Sequence, residues 1–271
     1  IDEPEPPKYS INSTVQVGDI KLQSYIFEGD YYIEAIDESG NKAFTIKDKA
    51  EGYIEDLGFG ETKEYPVNGC FILSALNKND HLYILVSLYG AQVAHPHKFM
   101  LKVREGKIVK KEYLDIYDSQ SPSLRFYPEK IAEWYGEYIV IYSTIRTSAY
   151  FISVLDKDLN IIWKNLTGFM HTEKFIAYIE QKNYIALSVK NMVYIAGNTV
   201  NCVDISEYRY LESFVWQTTF TDEEIRVDKT SYSLEGDNVI VDVEATTKAG
   251  EKKKYHLVLN KATGSLLNSE S

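Results

Sequence analysis

Short apolar runs rich in Ile, Val, Tyr and Phe alternate with turn residues along the whole chain. The runs Phe71–Leu76 and His81–Leu88, for example, are separated by Asn77-Lys78-Asn79-Asp80. Apolar runs bounded by Asn, Asp or Gly are typical of β-strands joined by hairpin turns. We therefore predict antiparallel β-meanders, whose other strands are Tyr31–Ile36, Ala43–Ile46, Lys98–Val103, Ile108–Val109, Tyr138–Tyr142, Tyr150–Leu155, Ile161–Trp163, Tyr184–Val189, Val193–Ala196, Val200–Val203, Val239–Val243 and Tyr255–Leu259.

A tight turn followed by an apolar strand returns five times, and the strands open at Tyr31, His81, Tyr138, Tyr184 and Asn238. A period of about 50 residues corresponds to one four-stranded sheet per repeat. A single sheet would leave an apolar face in water, so like sheets must pack face to face. We predict an all-β fold, a β-propeller of about five four-stranded antiparallel blades. Two packed β-sandwich domains are the alternative.

Three segments fit this pattern less closely. Phe175–Ile179 and Glu129–Trp134 are compatible with short helical turns, but we interpret both as inner strands. Tyr208–Glu224 has no clear strand pattern and is predicted to form a long loop or a helical turn.

The opening residues 1–10 are acidic and rich in proline, which favours an extended tether. No linker divides the rest, so residues 11–271 are predicted to form a single propeller-like domain. The chain begins with Ile and a tether, as secreted or lipid-anchored proteins do after processing. We therefore expect an extracytoplasmic protein, in the periplasm or on the outer surface, with a lipid anchor upstream as an option.

One segment resembles a known family. Asp156-Lys157-Asp158-Leu159-Asn160-Ile161-Ile162-Trp163 resembles the blade ending of bacterial quinoprotein-like propellers, where an acidic turn precedes an outer strand with a tryptophan. Leu159-Asn160 replaces the usual glycine of that turn, and the match covers one blade. The resemblance implies a propeller blade and no quinone cofactor. With its tether, the chain is also similar to uncharacterised propeller-type surface lipoproteins of Gram-negative bacteria.

Charge narrows the range of partners. The chain has 40 acidic and 29 basic residues, for a net charge of −11. Such a chain repels phosphate backbones, so nucleic acid is not expected as a partner. No apolar run reaches the roughly 20 residues that span a bilayer, so no transmembrane segment is expected. The basic run Lys252-Lys253-Lys254 is interpreted as a solvated strand edge.

Signals for metal or covalent chemistry are sparse. Cys70 and Cys202 lie beside apolar strands and are predicted as two buried free thiols, with a disulfide as the alternative. In His95-Pro96-His97 two imidazoles point the same way on an extended chain and could share a cation, with His171 as a third ligand. We favour two ordinary loop histidines, and we predict neither a metal site nor a cofactor.

The predicted fold is compatible with catalysis, because some five-bladed propellers are sugar-cleaving enzymes. In these enzymes, carboxylates from several inner strands converge and divide the acid and base roles. Glu133 is the main carboxylate on a predicted inner strand, whereas Phe71–Leu76 and Phe175–Ile179 carry none. A polysaccharide-processing enzyme, resembling a glycoside hydrolase, is therefore the alternative function.

In a propeller, loops from the second to the third strand and loops between sheets share one face. A cationic and aromatic set is predicted there, suited to an anionic or sugar-like ligand. We predict a non-catalytic binding or scaffold protein whose ligand, a carbohydrate or a protein, binds this loop face. Its candidate residues are His95, His97, Arg125, Tyr127, Arg146, His171, Lys190, Tyr208, Arg209 and Trp216.

Overall fold

A computed structural model describes residues 9–51, 53–58, 61–90, 97–114, 117–118, 121–145, 150–167, 178, 181–206 and 214–270. The first sheet contains β1 (Ser13–Val17), β2 (Ile20–Phe27), β3 (Asp30–Ile36) and β4 (Lys42–Lys49). A separate hairpin follows, with β5 (Tyr53–Gly58) and β6 (Glu61–Tyr65). The second sheet contains β7 (Gly69–Lys78), β8 (His81–Tyr89), β9 (His97–Arg104) and β10 (Lys107–Tyr113).

Three further sheets complete the chain. The third contains β11 (Tyr117–Asp118), β12 (Ser121–Glu133), β13 (Ile139–Ile145), β14 (Tyr150–Leu155) and β15 (Ile161–Thr167). The fourth contains β16 (Ile185–Ala186), β17 (Asn191–Ala196), β18 (Thr199–Asp204) and β19 (Phe214–Thr219). The fifth contains β20 (Ile225–Glu235), β21 (Asn238–Thr247), β22 (Lys252–Asn260) and β23 (Leu266–Glu270).

Every sheet is an antiparallel meander, because its strands stand side by side in chain order. Four of the five meanders have four strands, and the third has the two-residue strand β11 added to its four. The predicted fold class, an all-β propeller type with five four-stranded blades, is confirmed. Within the described ranges, no helix is long and apolar enough to cross a membrane.

The predicted repeat has the right number of units but the wrong phase in two of them. His81 and Asn238 begin the second strand of their sheets, and Tyr138 directly precedes it. Tyr31, in contrast, lies in the third strand β3, and Tyr184 precedes the first strand β16. The reason is that every hairpin of a meander uses the same turn chemistry, so a turn alone does not identify its place in the sheet.

The ambiguous segments are settled in part. Glu129–Glu133 belongs to β12, as predicted for an inner strand. Tyr178 is helical, which contradicts the inner strand predicted there, and the other residues of Phe175–Ile179 lie outside the described part. Phe214–Thr219 forms β19 where a loop or a helical turn was expected.

The chain divides into two compact units. Unit 1 comprises Ile1–Glu133, Ile141–Ile145 and Asp156–Asn160, and unit 2 comprises Trp134–Val140, Arg146–Leu155 and Ile161–Ser271. The prediction of a single domain over residues 11–271 stays a prediction. Of the predicted tether 1–10, residues 1–8 are outside the described part.

Tyr9, in contrast, is attached to the first sheet of unit 1. The Tyr9 ring stacks on Tyr25, with 3.7 Å between ring centroids and an interplanar angle of 9°. Tyr25 in turn stacks on Tyr32 at 5.0 Å. The end of the predicted tether is therefore held by ring stacking, which contributes about 0.5–1.5 kcal/mol per pair beyond burial.

The core of unit 1 lies between the first and second sheets. Leu22 and Ile33 from the first sheet and Ile84 and Leu101 from the second are all fully buried. The strands β1 and β2 contact β7 across this interface. Each such side chain contributes about 1.5–3 kcal/mol when it leaves water, so burial of these faces dominates the stability of the unit.

Serine hydroxyls join the first strands of successive sheets in unit 1. The Ile72 amide of β7 donates to Ser13 Oγ of β1 at 2.7 Å, and the Ile131 amide of β12 donates to Ser74 Oγ of β7 at 3.2 Å. A first strand is an edge of its sheet, so its outward amides lack a ladder partner. The hydroxyls supply that partner, and β7 contacts both β1 and β12. The first strands are therefore the inner strands in this unit, as predicted.

Unit 2 is built on the same plan. Val193 and Cys202 from the fourth sheet and Val241 and Leu257 from the fifth are buried in one cluster. The Trp134 indole also belongs to this unit and donates to the Val189 carbonyl at 2.9 Å.

The outer strand of every sheet contains a β-bulge near its start. One extra residue stands opposite the register of the neighbouring strand in each case. Such a bulge bends the strand and increases its twist. The extra residues are Ala43, Val109, Ile162, Val215 and Leu267, all exposed.

The residue after the bulge contacts the last turn of the next sheet at three described places. Phe44 lies against Gly106, where an added Cβ would be 2.7 Å from the Phe44 Cβ. Trp216 lies against Gly264 in the same way and donates to the Lys261 carbonyl at 3.1 Å. Lys110 donates to Asn160 Oδ1 at 3.4 Å. This repeated contact holds these three outer strands, β4, β10 and β19, against the next sheet.

A tryptophan occurs at the same place in two outer strands. Trp163 and Trp216 both directly follow the bulged residue of an outer strand. The residues that carry the resemblance at Trp163 also include an acidic turn, and that match still covers one blade. Phe44 has the equivalent place in the first sheet, so an aromatic ring stands there in three of the five outer strands.

Leu159 takes the glycine place in the turn before β15. Its φ of 63° is left-handed, and its side chain is completely buried. Asp156 holds this turn, because its Oδ1 accepts the Asn160 amide at 2.9 Å. The equivalent turn of the first sheet has Gly40 with a φ of 83°. Leucine costs about 1–3 kcal/mol in this conformation, and its burial offsets a similar amount.

The contact between Trp216 and Gly264 can be tested by alanine substitution. Gly264→Ala would place a Cβ 2.4 Å from Trp216 Cε3 at a φ of 71°, so we expect a loss of about 2–4 kcal/mol in unfolding free energy. Gly236→Ala in the same sheet has a φ of 58° with nothing within 4 Å, and should cost about 1 kcal/mol. Urea unfolding of both variants measures the difference. Equal losses would show that Gly264 is needed for its backbone conformation alone.

Candidate functional site

A groove of about 410 Å³ opens in unit 1 where turns of the first two sheets meet. The turn between β7 and β8 and the turn between β9 and β10 form its rim. Its floor is apolar and consists of Ile20, Phe44, Leu82 and Val103. A concave surface with an apolar floor and a few polar groups is the usual form of a small-ligand site.

The floor owes its aromatic ring to the bulge in β4. Ala43 is the extra residue, and Phe44 after it turns inward between the two sheets, where it is half-buried. Gly106 permits this position because a side chain there would overlap with Phe44. The ring is thus held by one sheet and bordered by the last turn of the next.

Two tight turns carry the polar rim. Asn79 and Asp80 have φ values of 50° and 58°, and Glu105 and Gly106 have values of 50° and 74°. Two successive left-handed residues form the turn that suits the twist of a hairpin, and Asn, Asp and Gly tolerate it well. Glutamate tolerates the left-handed conformation poorly, so the backbone is strained at Glu105 on the rim. Strained residues of this kind occur preferentially at functional sites.

The rim offers hydrogen-bonding groups to a ligand. His81 Nδ1 lies 2.7 Å from the Asn79 carbonyl, which can only accept, so Nδ1 carries a proton, and in the neutral ring Nε2 is an acceptor. Among the residues that the structure describes, the side chains of Asn77, Asp80 and Glu105 make no hydrogen bond or ion pair. The groove is also lined by Lys78, so it combines amide, carboxylate, imidazole and ammonium groups with an aromatic ring.

The described part of the chain contains no group of three or more side chains that could hold a metal ion. Of the proposed histidine pair, His95 lies outside that part, as does His171, and His97 is the first residue of β9. The absence of a metal site stays a prediction.

The predicted loop-face residues are distributed as follows. Arg146, Tyr208 and Arg209 lie outside the described residues, in addition to His95 and His171. Arg125 and Tyr127 belong to strand β12 and not to a loop. The loop face as a whole stays a prediction.

Two members of that set have places that differ from the prediction. Lys190 is exposed in the turn between β16 and β17, which joins a first strand to a second strand. It therefore belongs to the opposite end of its sheet from the one predicted. Trp216 is buried, and its indole is used by the contact with Lys261 and Gly264. Trp216 therefore contributes to the packing between the fourth and fifth sheets.

Glu133, the carboxylate on which the alternative function depends, is the last residue of β12 and is exposed. A glycosidase site needs two carboxyl groups facing each other across the bond that is cleaved. The alternative of a polysaccharide-processing enzyme stays a prediction.

A buried lysine was not expected from the sequence. Lys98 in β9 is only 9% exposed, and its Nζ donates to the Pro128 carbonyl of β12 at 2.9 Å. Burial lowers the pKa of Lys98 to about 8, with the nearby Glu129 acting in the opposite direction. Lys98 directly follows His97, so it lies at the start of β9, which is the end where the loop face was predicted. The sequence places Lys98 at the start of an apolar run, within the predicted strand Lys98–Val103, which does not by itself reveal its burial.

Ser231, Asp242 and His256 lie together on the fifth sheet, but their order excludes a hydrolase triad. Asp242 accepts from Ser231 Oγ at 3.1 Å and pairs with His256 Nδ1 at 2.7 Å. The carboxylate thus stands between the hydroxyl and the imidazole, whereas a triad needs the imidazole in the middle. The cluster is an exposed structural ion pair.

Cys70 and Cys202 are both buried and free, which confirms the prediction. Burial raises the pKa of each thiol to about 12. Both are therefore unreactive small apolar residues at neutral pH.

The buried charge of Lys98 predicts a pH-dependent stability. Because its folded pKa is about 8 and its usual value is 10.5, the unfolded state binds more protons between these values, and stability should rise with pH there. Lys98→Met removes this dependence. We expect the variant to have a higher unfolding free energy than the wild type at pH 7, and this difference should shrink by about 1–3 kcal/mol from pH 7 to pH 10. Urea unfolding at both pH values measures it. Lys98→Arg, charged throughout, is the control, and a constant gap for the methionine variant would refute the assignment.

His256 should titrate above its usual pKa of 6.5, because its hydrogen bond to Asp242 favours the protonated ring. The stability that it contributes is present at low pH and is lost as the pH rises through the raised value. In an NMR titration, Asp242→Asn should lower the pKa of His256. Glu244→Gln, which removes the carboxylate paired with Lys254, should leave it nearly unchanged. The same shift in both variants would contradict the pairing.

Comparison with known proteins gives no family. No family model matches the sequence, and no curated protein matches it. A solved protein of unknown function from Bacteroides caccae is 13% identical, with 98% of this chain and 83% of that chain covered and a TM-score of 0.35. A subtype N10 neuraminidase-like protein of A/little yellow-shouldered bat/Guatemala is 11% identical, with 87% and 74% covered and a TM-score of 0.39. The WD40 domain of SCAP from fission yeast is 12% identical, with 96% and 59% covered and a TM-score of 0.36. Likenesses of this size say nothing about activity.

Proposed function

We propose that this protein is a non-catalytic, extracytoplasmic binding protein whose ligand is a neutral saccharide held in the groove of unit 1. The observation that carries the proposal is the groove itself, with free polar side chains around the ring of Phe44. This groove is formed by turns from first to second and from third to fourth strands. The site is thus proposed at the other end of the sheets from the predicted loop face.

The chemistry of the rim supports a polyhydroxylated ligand. Asp80 and Glu105 offer carboxylate oxygens, Asn77 offers both an amide donor and an acceptor, and His81 offers Nε2. Adjacent hydroxyl groups both donate and accept, so they can satisfy such a mixed rim. The apolar face of a sugar ring can then contact Phe44, as in other sites where an aromatic side chain supplies rigid contact area.

The groove supports binding better than hydrolysis. Acid–base hydrolysis of a glycoside requires two carboxyl groups in different surroundings, one kept protonated and one ionised. Asp80 and Glu105 both stand exposed on turns, and neither has a partner within the described ranges. Nothing in their surroundings divides the two roles.

The extracytoplasmic location is part of the proposal. It rests on the acidic, proline-rich composition of residues 1–10 and on their resemblance to the tethers of surface lipoproteins. Protease treatment of intact cells compared with lysed cells tests it. If the protein stays fully protected from protease in cells whose envelope has been opened, this part of the proposal is contradicted. The proposal for the groove is not affected by that result.

The groove is tested by a saccharide screen followed by calorimetry. We expect a neutral oligosaccharide to bind the wild type, and Asp80→Asn and Phe44→Leu each to weaken binding about tenfold, a change of about 1.4 kcal/mol. Asp80→Asn keeps a residue that tolerates the left-handed turn, so the fold is preserved.

Glu38→Gln is the matched control, because Glu38 lines a second cleft of unit 1 at the first sheet alone. It should leave the affinity unchanged. If no neutral saccharide binds, or if Glu38→Gln weakens binding as much as Asp80→Asn does, the groove is not the site.

A further inference from the structure

The outer strands of the five sheets differ sharply in charge. Unpaired edge strands invite pairing with another chain, and lysines are a common protection against it. β4 carries Lys42, Lys47 and Lys49, and β10 carries Lys107, Lys110 and Lys111. β19, with the sequence Phe-Val-Trp-Gln-Thr-Thr, is the one outer strand in the described part of the chain without a charged residue.

β19 is also exposed and well suited to pairing. It is the edge of the fourth sheet, where β18 is its partner on one side. Phe214 is 40% exposed and Val215 is 48% exposed. Aromatic and β-branched residues favour strands, and a short uncharged segment of this kind without proline is typical of strands that pair between chains.

We propose that β19 is a self-association edge, at which two copies of this chain pair antiparallel about a two-fold axis. The pairing joins two four-stranded sheets into one continuous sheet. It brings Phe214 and Val215 of one copy near Thr218 and Thr219 of the other, and aromatic or aliphatic residues beside threonine stabilise a sheet. A two-fold contact closes on itself, so association stops at the dimer.

Charge identifies a second copy as the occupant. In a two-fold antiparallel pair, a strand meets its own sequence in reverse, so charges at its middle or placed symmetrically about it meet like charges. Self-pairing of β4 or β10 would bring lysines together, which is destabilising. β19 has no such penalty. Because the chain as a whole carries a net charge of −11, two copies repel each other elsewhere, and an uncharged edge is where they can approach.

Two valines form a matched pair for the test. Val215 and Val109 are both the extra residue of a bulge in an outer strand, with exposures of 48% and 55%. Val215→Lys places a charge on the uncharged edge, whereas Val109→Lys adds one to an edge that already carries lysines. Sedimentation over a wide concentration range measures the oligomeric state of the whole chain and of both variants.

We expect the wild type and Val109→Lys to be dimers that dissociate on dilution, and Val215→Lys to be a monomer. Added salt should strengthen the wild-type dimer, because it screens the repulsion between the two acidic chains. Thermal unfolding confirms that each variant is folded, and Phe214→Lys replaces Val215→Lys if the latter is not. A wild type that stays monomeric, a dimer that survives both β19 variants, or open-ended oligomers would overturn the proposal.

Discussion

Each sheet of this protein has an apolar face that only another sheet can cover, and the rest of the structure depends on that constraint. Leu22 and Ile33 of the first sheet are apolar, and Ile84 and Leu101 of the second sheet cover them and exclude water from them. Hydroxyl groups of serine then satisfy amides that a sheet edge would leave without a partner. The contact of Phe44 with Gly106 and that of Trp216 with Gly264 fix the outer ends of the same interfaces. Burial thus supplies most of the free energy, while these polar and aromatic contacts determine how neighbouring sheets align.

The strands that the sequence predicted well either are buried on both faces, as β8 and β17 are, or alternate between buried and exposed residues, as β21 and β22 do. β8 and β17 are continuous apolar runs, because each stands between two neighbours and under another sheet. β20 was missed because most of its residues are exposed and polar, and β19 was missed because it is short and half of its residues are polar. The sequence therefore indicates the number of sheets more reliably than the outer boundary of each one. Leu159 shows a second limit, because its left-handed conformation depends on burial that arises only after folding.

The candidate site was harder to predict than the fold. The loop face predicted from the sequence consists of cationic and aromatic residues in long loops, and much of that set lies outside the described ranges. The groove is instead built from short turns whose sequences indicate turns, such as Asn79-Asp80 and Glu105-Gly106. A turn's sequence reveals its backbone conformation but not which neighbouring turn it will face. Phe44 also gave no signal, because a bulge decides the direction of its side chain, and bulges are not visible as a change in apolar pattern.

The two serine hydrogen bonds between first strands have the same donor-to-acceptor direction along the chain. Ser13 accepts from Ile72, and Ser74 accepts from Ile131, so in both bonds the acceptor belongs to the sheet that comes earlier in the chain. During synthesis, the ribosome therefore releases each of these two hydroxyls before the amide that donates to it. Loss of a later sheet would leave a serine hydroxyl that water can satisfy. Loss of an earlier sheet would leave an edge amide without its hydrogen-bond acceptor. Such an asymmetry makes this architecture suited to growth by adding modules at its carboxyl end.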